Sequence, residues 1–422
     1  MTTQGKRIGS KPNIVLVYMD DMGYGDIGCY GNTIIRTPVM DGIASSGVRF
    51  TQMYAAAPTC SPSRCGLLTG RYPQKAGIPR VLWPEDTCGI SSEDKTIAGY
   101  LKDSGYVSKC IGKWHLGSQP EHYPTRHGFD EFYGLLYSND MLPLYMYRNE
   151  EVEEEEVDQS TVTEKYTREA IQFIEANKDQ PFFCYLAHTM PHIPLHVPEA
   201  FRGKSAGGTY GDTLECIDFY LGEILNALRA NGLEENTIFI VSSDNGPWYE
   251  GSCAGLRGRK FEVYEGGVRM PFVAQWKSVI PEGTVCEEVA SLMDLLPTFV
   301  ELAGGTVDEE RVDGKPILPL LLGEGTSPHE ALYFYVNDSL NAVRSGKWKL
   351  HVASGIGKDR SIKEMPQLFD MDIDPGECYN LADRNPEVVQ SLIAMMKAFD
   401  QCVQPVANTT RINRNADGRF EV

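Results

Sequence analysis

Four short, largely apolar runs constrain this chain more than any other feature. They are Asn13–Met19, Tyr106–Ile111, Phe182–Ala187 and Thr237–Ser243. Each is too short for a typical buried helix, and none shows the polar alternation of a half-exposed strand. Runs of this kind suit strands covered on both faces. Helical patterns lie between them. Thr96–Ser104 stops at Gly105. Thr163–Asn177 sets Tyr166, Ala170, Phe173 and Ile174 on one stripe. Asp212–Ala230 repeats Leu214, Ile217, Leu221, Ile224, Leu225 and Leu228 at helical spacing before Gly232. Strands separated by helices predict a large, mostly parallel central sheet with helices on both faces.

The pattern changes after about residue 325. Ala331–Val336 reads as a strand. Asn341–Arg344 and Trp348–Val352 read as a hairpin around Ser345-Gly346. Gln367–Met371 is a further strand, and Pro386–Cys402 is an amphipathic helix. This order predicts a small α+β domain with an antiparallel sheet. A length of 422 residues accommodates both parts. The expected division is residues 10–325 and 326–422. The tail from Pro405 is polar and expected to be loosely held.

Composition narrows the function. Lys plus Arg is 39 and Asp plus Glu is 58, a formal charge of −19. No basic footprint marks a nucleic-acid partner. No apolar run reaches the roughly 18 residues of a spanning helix, so no membrane partner is expected. Met1–Arg7 leads into polar residues rather than an apolar core, which predicts a cytoplasmic protein unless a leader has been removed. The 11 cysteines are scattered without a Cys-x-x-Cys pair. That pattern predicts free, mostly buried thiols. The acidic run Glu150–Asp158 reads as a solvated loop or hairpin edge.

Two of the apolar runs end alike, one in Asp20-Asp21 and the other in Asp244-Asn245-Gly246. Ligands collect at the carboxyl ends of strands in open α/β sheets. Three carboxylates and an amide oxygen form a hard oxygen site for Ca²⁺ or Mg²⁺. The plainer alternative is that each Asp caps the turn after its strand. A third segment, Cys60-Ser61-Pro62-Ser63-Arg64, starts a helix at Pro62 and sets Cys60 at its N-terminus. It reads either as a helix cap with a buried thiol or as a low-pKa cysteine nucleophile.

Cys60-Ser61-Pro62-Ser63-Arg64, followed by Cys65-Gly66-Leu67-Leu68-Thr69-Gly70, resembles the signature of the type I sulfatases. Gly105–His115 is similar to that family's second signature. Gly128–Gly134, Tyr264–Arg269 and Leu368–Met371 resemble the arylsulfatase A and N-acetylgalactosamine-6-sulfatase group. The resemblance implies an alkaline phosphatase-like fold and a sulfuric ester hydrolase. It implies that a maturase, a formylglycine-generating or anaerobic sulfatase-maturing enzyme, converts Cys60 to formylglycine, whose hydrate is the nucleophile. It also implies one Ca²⁺ held by Asp20, Asp21, Asp244, Asn245 and the modified Cys60. Arg64, Lys113, His115, His192 and Lys260 match the residues around the sulfate, and Ser138 falls where relatives place a substrate-binding serine. Asp244 is then the first proton acceptor, His192 or Lys260 the acid for the leaving oxygen, and His115 the base that releases sulfate.

The implied substrate is a sulfated mono- or oligosaccharide, foremost a 6-O-sulfated N-acetylgalactosamine or a related glycosaminoglycan or mucin sugar. Rival readings are a broad aryl sulfatase, a phosphonate or phosphate monoester hydrolase, and a sulfated-glycan binding protein with unmodified Cys60. Where relatives usually have glycine, this chain has Arg259 and Phe261, so the Lys260 loop is bulkier. Trp83, Tyr137, Trp248 and Tyr249 are candidates for stacking on a sugar.

Overall fold

A computed structural model describes residues 11–353 and 365–403. In chain order the strands are β1 (Asn13–Met19), β2 (Val48–Tyr54), β3 (Val107–Lys113), β4 (Glu131–Leu135), β5 (Met146–Arg148), β6 (Glu151–Glu154), β7 (Phe182–Ala187), β8 (Thr237–Ser243), β9 (Arg269–Gln275), β10 (Thr284–Cys286) and β11 (Ala290–Ser291). They form one sheet ordered β10-β2-β9-β8-β1-β7-β3-β4-β5-β6, with β11 also on β2. The main helices are α1 (Pro38–Ser45), α2 (Cys60–Thr69), α3 (Ile97–Asp103), α4 (Val162–Ala176), α5 (Gly208–Ala230), α6 (Glu265–Val268), α7 (Leu295–Leu302), α8 (Leu318–Leu321) and α9 (Pro386–Cys402).

The four apolar runs are the heart of this sheet. β1 pairs in parallel with β7 and β8, and β3 in parallel with β7 and β4. Every residue of β1, β7 and β8 is buried. These strands therefore need apolar side chains on both faces, which is why alternation is absent. β3 starts one residue later than the sequence suggests and continues to Lys113. Gly112 allows this: it has φ +101, and a Cβ there would lie 1.9 Å from the Ala187 carbonyl oxygen.

The sheet is more mixed than the sequence suggests. β9 runs antiparallel between β8 and β2. Neither β2 nor β9 is legible as a core strand. β2 carries Arg49, Thr51 and Gln52 toward its partly exposed face, and β9 contains Pro271. The acidic run forms β6 at the sheet edge, where Lys165 and Arg148 pair with Glu154 and Glu153. It is thus a hairpin edge. All 11 cysteines are free thiols. No helix among the described residues is long and apolar enough to cross a membrane.

The second sheet contains β12 (Ala331–Val336), β13 (Ser339–Ser345), β14 (Trp348–His351) and β15 (Gln367–Asp370), each antiparallel to the next. Its hairpin turns where Ser345-Gly346 indicates. α9 packs Val389, Leu392 and Met396 against Val343, Leu350 and Leu368. The tail from Pro405 lies outside the described residues.

A buried ionic cluster joins the two sheets. Lys349 Nζ lies 2.8 Å from Glu265 Oε1 and 3.2 Å from Glu377 Oε1. Glu265 also meets Arg269 at 3.2 Å, and His351 Nε2 meets Glu377 at 2.6 Å. Burial works against the charged form of Glu265, yet Lys349, Arg269 and Arg344 hold its carboxyl down at about 2. A Lys349→Met variant leaves two buried carboxylates short of a cation. It is expected to lose about 3–5 kcal/mol in a denaturant titration. The half-exposed neighbour pair is a control, and Lys347→Met should lose at most about 1 kcal/mol. Because Glu265 is more acidic folded than unfolded, its contribution is present above its ordinary value of 4.5 and lost as pH falls toward about 2. The gap between native chain and Lys349→Met should narrow over that window.

Candidate active site

The site forms where β1, β3, β7 and β8 end and α2 begins. Asp20 and Asp21 are consecutive, and on a regular strand their side chains would point to opposite faces. Asp21 instead adopts φ +65. This left-handed residue turns the chain so that Asp20, Asp21 and His192 place ligand atoms within 4.8 Å of one another. The backbone is held in that strained shape: Asp21 N donates to Asp244 Oδ1 at 3.1 Å and Met22 N to Ser243 Oγ at 2.9 Å. His115, two residues beyond β3, has φ +60.

α2 begins at Cys60 itself, after Thr59. Arg64 lies one turn on and therefore on the same face as Cys60. Its guanidinium is wholly buried. Nε and Nη2 donate to Asp244 Oδ2 at 3.1 and 2.8 Å, Nη1 donates to the Lys113 carbonyl at 2.8 Å, and Nη2 lies 3.6 Å from Asp20 Oδ1. Lys113 Nζ donates to Asp20 Oδ2 at 2.6 Å and to Ser138 Oγ at 3.0 Å. Lys260 Nζ donates to Asp21 Oδ2 at 2.8 Å, and His192 Nε2 lies 3.7 Å from the same oxygen. Asn245 Nδ2 donates to Asp21 Oδ1 at 2.7 Å. All eleven sequence-nominated residues are buried here, and these contacts and charge interactions draw them into one cluster.

Cys60 is set among Lys113, Lys260, Asp20 and Asp244, which all act on its thiol electrostatically. Burial outweighs the two lysines and pushes the thiol up. The low-pKa cysteine that the sequence allowed is therefore not what the fold builds: a helix start and nearby cations do not compensate for complete desolvation. Burial also lowers His115, with Lys113 adding to the effect. Its Nε2 bonds the Leu82 carbonyl at 2.9 Å, while Nδ1 is buried without a hydrogen-bond partner. Leu82 N in turn donates to Ser61 Oγ at 3.0 Å, beside Cys60. Leu82 was not legible as a site residue, because a backbone carbonyl carries no side-chain signature, and Ser61 stood inside the Cys60–Arg64 segment without a role of its own. Tyr137 is buried with its hydroxyl on the Pro143 carbonyl, and of the four stacking candidates Tyr249 is the widely exposed one.

The donor set fits a hard divalent cation. Asp20 Oδ1 and Asn245 Oδ1 are buried acceptor oxygens without a hydrogen-bond donor. Burial and then Asp20 push Asp244 up to about 7. Asp20, Asp21 and Asp244 are balanced by Arg64, Lys113 and Lys260, so an incoming anion would leave the centre negative unless a cation joined it.

Comparison with known proteins gives the family. The Sulfatase family matches residues 12–305, and the C-terminal region of aryl-sulfatase matches residues 327–418. The chain belongs to the sulfatase family and is a sulfuric ester hydrolase. It is 36% identical to arylsulfatase A of Homo sapiens, over 93% of this chain and 89% of the relative. It is 35% identical to N-acetylgalactosamine-6-sulfatase of Canis lupus familiaris, over 90% and 84%. Among solved structures it is similar to Ps i-CgsB in complex with k-i-k-neocarrahexaose, with TM-score 0.86, 29% identity and coverage of 97% and 96%. The mostly parallel sheet and small antiparallel sheet are the alkaline phosphatase-like architecture of these sulfatases.

The unsatisfied oxygens make a thermal prediction. If the site takes a hard divalent cation, Ca²⁺ added to metal-free protein at about 100 times its dissociation constant should stabilise the fold by about 2.7 kcal/mol. Melting should rise by a few degrees, and Asp20→Asn should erase the response. An unchanged melting temperature in the native chain would exclude the cation site.

Proposed function

We propose that this enzyme removes a sulfate ester from a sugar, with 6-O-sulfated N-acetylgalactosamine or a related glycosaminoglycan or mucin saccharide as substrate. The observation that carries the reading is the buried convergence of Lys113 and Lys260 on Cys60, with Arg64 one turn below it on α2. A sulfate ester is an anion, and an acidic chain can accept it only where fixed cations cancel the local repulsion. The relatives named as an N-acetylgalactosamine-6-sulfatase and a carrageenan-oligosaccharide complex support the saccharide class.

In this reading Asp20, Asp21, Asp244 and Asn245 hold Ca²⁺ together with the modified Cys60. The cation supplies charge neutralisation at the sulfate oxygens. Cys60 would serve as formylglycine, made by a maturase, and its hydrate would supply one hydroxyl as nucleophile and a second for the release of sulfate. Lys113 and Lys260 bind sulfate oxygens, and Ser138 orients Lys113. Asp244, held by Arg64, accepts the proton of the attacking hydroxyl. His192 donates to the departing sugar oxygen from Nε2 as the imidazolium, which Asp20 and Asp21 favour against burial, because its Nδ1–H is given to the Ile193 carbonyl at 2.5 Å. His115 accepts the second proton at Nδ1, which the Leu82 contact leaves facing away from the backbone. Residues 10–325 carry this chemistry, and residues 326–422 brace it.

Mass spectrometry of the Cys60 peptide after co-expression with a maturase should show a loss of about 18 Da, the change from CH₂SH to CHO. The same preparation should release sulfate from N-acetylgalactosamine 6-sulfate. Cys60→Ala should abolish turnover, and Lys113→Ala should lower kcat about 10²–10³-fold. Full activity with an unmodified thiol would overturn the mechanism, and preference for a phosphonate ester would overturn the substrate.

A further inference from the structure

A cleft of about 760 Å³ lies beside the catalytic centre, between the loop after β1 and the loop that carries Lys260. Its floor includes Tyr210, whose hydroxyl donates to Asp26 Oδ2 at 2.5 Å and lies 3.4 Å from the Asp21 carbonyl. Its wall includes Arg259, the residue before Lys260. Tyr210 and Arg259 therefore tie the cleft to the backbone of Asp21 and Lys260.

Tyr249 lines the cleft with 72% of its surface exposed. Its ring stands against Trp248 at 4.9 Å and under the Arg259 guanidinium at 5.4 Å. Arg259 Nη1 donates to the Trp248 carbonyl at 2.7 Å and the Gly251 carbonyl at 2.8 Å. The arginine thus spends Nη1 on the backbone that carries the aromatic pair and lays its guanidinium against the Tyr249 ring. Glu250 and Glu262 also line the cleft, so two carboxylates share it with one guanidinium, while Asp26 is buried with its oxygens bonded to Gly23 N, Tyr210 Oη and Ser252 N. Such a lining accepts hydrogen bonds from hydroxyls and amides, gives a sugar face a ring to stack on, and repels carboxylates and sulfates.

We propose that this cleft is the subsite for the sugar unit adjoining the sulfated one, and that it selects an uncharged unit over one bearing a uronate or a second sulfate. The proposal rests on the saccharide reading above and narrows it to chains whose sulfated sugar is next to a neutral hexose or N-acetylhexosamine. Arg259 becomes the residue that builds the aromatic rim.

Two measurements on the whole matured enzyme test it. The first is binding, by isothermal titration, of two unsulfated probes: the neutral disaccharide N-acetyllactosamine and the uronate disaccharide of hyaluronan. The neutral probe should bind at least about tenfold tighter. Tyr249→Ala should weaken it about tenfold, and Glu250→Lys should narrow the difference between probes. The second is turnover of p-nitrophenyl sulfate, which lacks a sugar to fill the cleft and should be unchanged in both variants. Equal binding of the two probes, or neutral binding indifferent to Tyr249→Ala, overturns the subsite. Loss of p-nitrophenyl sulfate turnover in the native enzyme instead overturns the sulfatase mechanism, while the binding measurement still decides the cleft.

Discussion

A guanidinium buried at the sheet's carboxyl edge ties the active site together. Arg64 reaches Asp244 after β8, Asp20 after β1 and the Lys113 carbonyl at the end of β3. It projects from α2, the helix that begins at Cys60. Four separate chain segments are thus registered by one rigid, planar group. A lysine could not do this, because its ammonium lacks the fork that engages several oxygens at fixed angles. Removing the charge would leave Asp20 and Asp244 facing each other in a dry interior, where desolvation makes an unpaired carboxylate costly.

That constraint explains the strained backbone around it. Asp21 and His115 both sit at positive φ just beyond parallel strands. Strand geometry alternates side chains, whereas the site needs neighbouring residues to converge. The left-handed residues resolve the conflict, and the ladder of buried strands holds them there. Ser61 and Leu82 extend the same logic to His115 by fixing which ring nitrogen faces the backbone.

Much of this was legible beforehand, for a physical reason. Strands buried on both faces leave continuous apolar runs, so β1, β3, β7 and β8 stood out, and the polar residues just beyond them marked the site. The Cys60–Gly70 and Gly105–His115 signatures then placed Arg64, Lys113 and His115. What was not legible lies where chemistry is carried by backbone or by half-polar strands. β2 lacks an apolar run, and Pro271 disguises that of β9. The Leu82 carbonyl has no side-chain signal. Cys60 is a simpler lesson: a helix N-terminus and nearby lysines suggest an acidic thiol, but the sequence does not report the depth of burial that reverses the sign.

The C-terminal sheet is then more than an appendage. Glu377 accepts from the Glu265 backbone at 2.7 Å through its side chain and from Arg257 Nη1 at 2.9 Å through its carbonyl. Those two contacts bracket the loop that holds Lys260. Arg257 also covers the Tyr264 ring at 4.2 Å, and Gly266 N donates to the Arg257 carbonyl at 2.6 Å. The loop is closed on itself and pinned to the second sheet by a carboxylate that meets Lys349 at 3.2 Å and His351 at 2.6 Å. Lys260 must hold a position beside Asp21 although its loop contains no regular helix or strand before α6. Its rigidity is therefore supplied from outside, across the junction of the two sheets. This is a physical reason for the two parts to travel together in one chain.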